Sequence, residues 1–177
     1  VFLDSDDTML PNSIKSKFDF FNSCNDKKNI AGIYGSFIWS NSNLTQSFKK
    51  SCGPVSRNDI GIMGKVPGGA PAYIFKKKSL ISINGFDESL TYNEDFDLLL
   101  RLIKSGFQLL GTNIPGFIRN VRNTSLTRSN PIKVQKGGRR FLKKAYRLGL
   151  MGNHELIKRL IQNYLKTLLI FFLIKNI

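Results

Sequence analysis

Residues 94–105, EDFDLLLRLIKS, restrict the fold of this chain more than any other stretch. They form the clearest helical pattern, with apolar residues on one side: Phe96, Leu99, Leu100 and Ile103. Residues 13–21 predict another helix, whose apolar residues are Ile14, Phe18 and Phe21. Residues 29–39 (NIAGIYGSFIW) and 107–117 have the composition of strands. This mixture of helices and strands predicts an α/β fold.

The first ten residues, VFLDSDDTML, place three carboxylates directly behind an apolar run. We interpret residues 1–3 as the end of a buried strand. If the chain stays extended as far as residue 6, Asp4 and Asp6 lie on the same face of that strand. Clustered carboxylates repel one another unless a cation lies between them, and Mg²⁺ and Mn²⁺ prefer oxygen ligands. The stretch therefore predicts a divalent-cation site, with simple capping of turns as the alternative.

A second group of acids, Glu94 and Asp95, stands in the first turn of the clearest helix. Negative charge at a helix N-terminus is favourable in itself, so the two acids need have no chemical role. The functional alternative is that one of them faces a cleft and acts as a general base. Gly68 and Gly69, in the segment GGAP, add a backbone that a ligand can approach closely.

The order of these segments along the chain resembles the family 2 glycosyltransferases, which have the GT-A fold. The matching segments are FLDSDD (2–7), PGGAPAYIFKKKSL (67–80), INGFDESLTYNEDFDLLLRLIKSGF (83–107) and RNTSLTRS (122–129). The resemblance covers about residues 1–130. It implies a GT-A-type, Rossmann-like nucleotide-diphospho-sugar transferase domain and an inverting transfer of a sugar to a hydroxyl acceptor.

The resemblance also implies roles for individual residues on the donor side. Asp6 corresponds to the metal ligand, and Asp4 to a residue that contacts the metal or the nucleotide ribose. The cation, Mn²⁺ or Mg²⁺, would bind the diphosphate of a nucleotide-sugar donor, most often a UDP-sugar. Relatives carry a His near the diphosphate where this chain has Arg122, and an Arg can pair with phosphate but cannot bind a cation.

On the acceptor side, the resemblance makes Asp95 the general base that deprotonates the attacking hydroxyl. Glu94 would orient the acceptor or its loop. Gly68 and Gly69 would line the sugar and acceptor side of the site.

The family fold begins with about three strands that hold the nucleotide base, and this sequence shows no counterpart of them. We therefore expect a partial, N-terminally incomplete GT-A domain over residues 1–130. On its own such a chain would be unstable or inactive. The alternative to an enzyme is an inactive truncated remnant or a membrane-attached interaction module.

The last part of the chain, residues 131–177, is strongly basic: it holds 11 Lys and Arg residues and one acid, against 16 and 11 in residues 1–130. Its basic and apolar residues alternate in a pattern typical of helices that lie in a membrane interface, although a helix docked on the domain is an alternative. The run 168–174 is too short to span a bilayer. We expect a basic amphipathic helical tail that binds an anionic membrane surface and brings the enzyme to sugar or lipid-linked acceptors.

The remaining observations concern localisation and rival functions. Two cysteines, Cys24 and Cys52, fit a reducing compartment, so we expect a cytoplasmic protein, peripheral to the inner face of the membrane. A nucleic-acid partner is not expected, because no stacking motif or helix-turn-helix pattern accompanies the charge. The stretch DSDDT also resembles the D-x-D-G-T signature of haloacid-dehalogenase-like phosphatases, but Asp7 replaces the glycine.

Overall fold

The computed structural model describes residues 1–40, 45–46, 69–120 and 129–175. The strands are β1 (Thr8–Met9), β2 (Ile30–Trp39), β3 (Thr45–Gln46), β4 (Tyr73–Phe75) and β5 (Gln108–Arg119). The α-helices are α1 (Ser13–Ser23), α2 (Lys77–Ser82), α3 (Glu94–Lys104), α4 (Pro131–Arg147) and α5 (Asn153–Lys175). A short 3₁₀ helix, Ala70–Ala72, precedes β4.

In the described part of the chain the strands form one mixed sheet in the order β1-β5-β2-β3, with β4 also paired to β2. The two long strands, β2 and β5, run parallel, and the other pairings are antiparallel. Every residue of β2 from Ile30 to Phe37 is buried, which is typical of a strand covered on both faces. The predicted α/β class is therefore confirmed.

Buried apolar side chains form two separate clusters on the two faces of this sheet. Leu109 belongs to the large cluster, which contains the apolar side of α3, whereas its neighbour Leu110 belongs to a small one beside α1. Successive side chains of a strand point to opposite faces, so the two clusters lie on opposite sides of the sheet. The face covered by α3 thus carries most of the core.

One prediction about the beginning of the chain is wrong, and another, the helix over residues 13–21, is confirmed. Residues 1–3 are not in a strand, because the backbone turns directly after them and ladder pairing starts only at Thr8. The helix at α1 is present, but Ile14 and Phe18 are exposed and Ser13 and Lys17 are buried instead. Burial of α1 follows the surface it meets on the sheet rather than its apolar pattern.

Lys17 is buried against the backbone of two strands. Its side chain lies over Gly35 of β2 and Gly116 of β5, where a Cβ at Gly35 would be 3.0 Å from Lys17 Cε and one at Gly116 would collide with Nζ. A larger residue at Gly116 would displace the end of the Lys17 side chain, and one at Gly35 would also collide with the backbone oxygen of Ile114. Burial lowers the pKa of Lys17 to about 8.

The basic tail forms two helices, and the first of them belongs to the main core. Phe141, Leu142 and Ala145 of α4 are buried in the same cluster as the apolar side of α3. The predicted division between residues 1–130 and 131–177 is a division of composition, and the packing of α4 runs across it. Among the described residues, no helix is long and apolar enough to cross a bilayer.

Candidate functional site

The acids of the opening stretch form a turn at the end of the sheet. The N–H of Asp7 donates to the carbonyl of Asp4 at 3.1 Å, so this stretch is not extended as predicted. The N–H of Asn120, directly after β5, donates to Asp7 Oδ1 at 3.0 Å, and its side-chain amide donates to the carbonyl of Asp6. The turn is therefore anchored to the carboxyl end of β5, and burial raises the pKa of Asp7.

Asp4 and Asp6 keep their carboxylates available for a ligand. Neither side chain forms an ion pair or a hydrogen bond with the described part of the chain, whereas Asp7 is held by Asn120. Within residues 1–40, 45–46, 69–120 and 129–175, no three His, Cys, Asp or Glu side chains come together as a metal site. Two carboxylates fit a hard divalent cation that takes its other ligands from water and substrate phosphates.

Asp95 occupies an unusual electrostatic environment at the start of α3. It accepts a hydrogen bond from the N–H of Ala70, in the loop that contains the GGAP segment. Burial raises the pKa of Asp95 to about 7, with smaller contributions from the negative charges of Glu94 and Asp4. A carboxyl group that titrates near neutral pH can exchange a proton with a hydroxyl group, as a general base must.

The fold therefore joins residues that are far apart in the sequence. Asp4 in the opening turn and Asp95 on α3 interact electrostatically, and the positive charge of Arg119 lowers the pKa of both Asp7 and Asp95. The convergence arises because β5 ends beside the opening turn and α3 leads into β5.

Arg119 is a residue that the sequence analysis missed. It is the last residue of β5 and lies opposite Trp39 in the parallel β2–β5 register. Its guanidinium lies 5.5 Å from the centre of the Trp39 ring and 6.0 Å from that of Phe37, so two aromatic rings hold it at the edge of the acidic site. Its position at the end of a strand-like run was the available signal.

The other predicted site residues have different outcomes. Glu94 lies beside Asp95 and raises its pKa. Gly69 is half-buried, and within the described part of the chain an added Cβ there would meet only Pro71 Cδ, at an ordinary 3.5 Å. Gly68 and Arg122 lie outside the described residues.

A network of ion pairs holds α3 in place behind the site. Asp97 is almost fully buried and pairs with Arg101 Nε at 2.7 Å and with Lys144 Nζ, from α4, at 2.6 Å. Lys144 also pairs with Asp87, whose pKa it holds well below the usual range. Arg101 donates to the carbonyls of Ile83 and Gly85. The network joins α3 to α4 and to residues 83–87, which lie between α2 and α3.

These features together define a mixed α/β fold with an acidic site at the end of its two long strands. The structure is similar to crystal structures of S. aureus TarS 1-349, one of them in complex with UDP-GlcNAc. The TM-scores are 0.63 and 0.60 at 15% and 13% identity, over 94% of this chain and 48% and 46% of the other. A further S. aureus TarS structure matches with a TM-score of 0.60 and 15% identity, over 93% of this chain and 28% of that one.

The chain thus spans about half the length of the TarS 1-349 chains that it matches. No protein-family model and no curated protein sequence matches it. At this level of identity, the likeness shows a shared fold.

Proposed function

We propose that this chain is part of an inverting family 2 glycosyltransferase, which moves a sugar from a nucleotide-sugar donor to a hydroxyl acceptor. The observation that carries the proposal is the placement of Asp95. This residue interacts with Asp4 of the acidic turn at residues 4–7, it has a pKa of about 7, and the fold around it is similar to that of TarS. A UDP-sugar is the donor we favour, because one TarS structure is a complex with UDP-GlcNAc. We place the reaction in cell-surface polysaccharide synthesis.

In this proposal, the carboxylates of Asp4 and Asp6 hold Mn²⁺ or Mg²⁺. When bound, the cation neutralises charge that develops on the leaving diphosphate. Both carboxylates belong to a turn anchored by Asn120, so the backbone that carries them is held in place before any ligand arrives.

Asp95 removes the proton from the attacking hydroxyl group. The hydroxyl oxygen forms a bond to the anomeric carbon from the side opposite the diphosphate, and the bond from that carbon to the diphosphate oxygen breaks. The electron pair leaves with the diphosphate, and the configuration at the anomeric carbon inverts. The N–H of Ala70 fixes the orientation of Asp95, and Glu94 beside it orients the acceptor.

Arg119 supplies the positive charge that the site needs on the protein side. Its guanidinium is exposed and is held by Trp39 and Phe37. A planar guanidinium can form two parallel hydrogen bonds to a phosphate. We assign to Arg119 the phosphate contact that the sequence analysis gave to Arg122.

The proposal is tested by titrating UDP and UDP-GlcNAc calorimetrically into the full chain, with Mn²⁺ and with EDTA. We expect binding that requires Mn²⁺ and is lost in Asp6→Ala, whereas Asp19→Ala, an exposed acid on α1, binds normally. We expect Arg119→Gln to bind about 10- to 100-fold more weakly, because a hydrogen bond to a charged group contributes about 1.5–3 kcal/mol. The exposed Arg140→Gln on α4 is its control.

Three results would contradict the proposal. Equal binding by wild type and Asp6→Ala would remove the metal site from the opening turn. Absence of binding to any UDP compound at millimolar concentration, in a chain shown to be folded, would favour the inactive remnant or interaction module. Phosphate release that is lost in Asp4→Asn would favour the phosphatase alternative, which the fold comparison does not support.

A further inference from the structure

The helix α5 exposes most of its large apolar side chains. Eight large side chains on it are between 47% and 66% exposed. They are Ile157, Ile161, Tyr164, Leu165, Leu168, Leu169, Phe171 and Phe172. Most follow one another at intervals of three or four residues, which aligns them along one side of the helix. We call this set the apolar stripe.

The side of α5 that packs on α4 is polar along much of its length. Arg139 Nη1 donates to Asn163 Oδ1 at 2.5 Å and to Thr167 Oγ1 at 3.0 Å, and Asn163 Nδ2 donates to Gln135 Oε1 at 2.8 Å. A surface helix normally buries its apolar side against the core. Near its start, Leu156 and Leu160 pack against the main core. Further along the helix the side towards α4 carries hydrogen-bonding groups, and among the described residues the apolar stripe stays exposed.

The neighbouring helix α4 carries an exposed row of cations, which we call the basic stripe. Its members are Lys133, Lys136, Arg140, Lys143 and Arg147. Their spacing of three and four residues places them on one side of α4. The one acid within residues 131–177, Glu155, pairs with Arg159 on α5, so no acid of the tail helices compensates the basic stripe.

We propose that the helical hairpin formed by α4 and α5 docks on the surface of an anionic phospholipid bilayer. The apolar stripe enters the boundary between headgroups and acyl chains, and the basic stripe binds the headgroup phosphates. The protein is then peripheral, and the cytoplasmic inner face of a membrane is the location we assign to it. The use of this contact to reach lipid-linked acceptors rests on the proposed transferase function, whereas the binding itself does not.

Charge and apolar surface together favour lipid over other partners. A second copy that buried the same hairpin in a symmetric dimer would bring the two basic regions close together, which is unfavourable. A nucleic acid would satisfy the basic stripe and leave the apolar stripe in water. An anionic bilayer satisfies both surfaces at once.

Point substitutions test the proposal better than truncation, because residues 132–177 contribute Phe141, Leu142 and Ala145 to the core. The full chain is floated with vesicles of phosphatidylcholine alone or with a quarter of phosphatidylglycerol. At low salt, wild type should float with the vesicles that contain phosphatidylglycerol and not with those of phosphatidylcholine alone. Its binding to the anionic vesicles should weaken as the salt concentration rises.

Two triple variants, each with a matched control, separate the two stripes. Replacing Leu165, Leu168 and Phe172 with Ser should weaken binding at least ~100-fold, since each removes a large apolar side chain from the lipid. Its control replaces three exposed apolar residues elsewhere, namely Ile14, Phe18 and Ile81. Replacing Lys133, Lys136 and Lys143 with Gln should weaken binding about 50-fold or more. Its control replaces Lys15, Lys77 and Lys78.

Each contrary outcome is distinct. Equal flotation of a triple variant and its control, with circular dichroism showing both folded, would overturn the role of that stripe. A concentration-dependent dimer in light scattering that the apolar variant abolishes, without flotation of wild type, would replace the bilayer with a second copy. Vesicle binding without UDP binding would support this inference and overturn the transferase proposal. UDP binding without vesicle binding would support the transferase proposal and overturn this inference.

Discussion

The two faces of the sheet bury charge in opposite ways. On the face covered by α3 and α4, the buried Asp97 pairs with Arg101 and Lys144. On the face covered by α1, the buried Lys17 lies over two glycines, and no described acid forms an ion pair with it. The first face has a large core and the second a small one. A paired charge holds elements together, whereas a charge buried against backbone carries a desolvation cost.

The same contrast appears within α3 itself, over two residues. Asp97 faces the core and has two cationic partners, but Asp95 faces the candidate site and has carboxylates as neighbours. The first arrangement stabilises the fold. The second raises a pKa to about 7 and is suited to proton transfer. The helix thus combines a structural acid with a chemical one.

The largest expected effect is on the free energy of unfolding, and it appears when Asp97 and Asp95 are each replaced with Asn. Asp97→Asn should lower the free energy of unfolding by about 3 kcal/mol, because it removes the buried carboxylate that the partly buried Arg101 and Lys144 share. Asp95→Asn should not lower it at pH 7. Urea denaturation followed by circular dichroism measures both, and a similar loss in the two variants would contradict the distinction.

Lys17→Met sharpens the comparison between the faces. It should raise the free energy of unfolding at pH 7 by up to about 3 kcal/mol, since the depressed pKa of Lys17 means that the folded state is penalised by its charge. The penalty is full below pH 8 and disappears as the pH rises towards 10.5. Lys15→Met, on the same helix but exposed, is the control.

A stabilisation of Lys17→Met that persists unchanged at pH 10.5 would show that packing, rather than charge, is responsible. Thermal denaturation at pH 7 and at pH 10.5 distinguishes the two explanations.

The smallest expected effect concerns the pH dependence of Asp95. Because its folded pKa of about 7 lies above the ordinary 3.8, the folded state binds a proton that the unfolded state has released between these pH values. Wild-type stability should therefore fall relative to Asp95→Asn as the pH rises from about 4 to 7. The difference should reach about 1 kcal/mol, because Asp95 is partly exposed.

Parallel stability curves for wild type and Asp95→Asn between pH 4 and 8 would rule out a raised pKa. Carboxyl-detected NMR titration of the same two proteins gives the midpoint directly.

Much of the fold was predictable from the sequence. The helix at residues 94–105 and the strands at 29–39 and 107–117 are present within one or two residues, because each has the period of its element and polar residues at its ends. The roles of the candidate site residues came from the resemblance of their segments to family 2 glycosyltransferases, and they stay predictions. Arg119 was not predicted, because its contact with Trp39 depends on the pairing of β2 with β5, and its place near the end of a strand-like run was the one signal in the sequence.

The sequence by itself determined the main helices and strands, the acids at residues 4–7 and 94–95, and the basic, apolar tail. Only the tertiary structure decided which sides of those elements are buried. On α1, Ile14 and Phe18 are exposed although Phe20 and Phe21 pack against the small core. On α5, most of the large apolar side chains are exposed although they follow a helical period. The physical reason is that periodicity reports which residues share a side of an element, whereas burial depends on the neighbours that the fold places against that side.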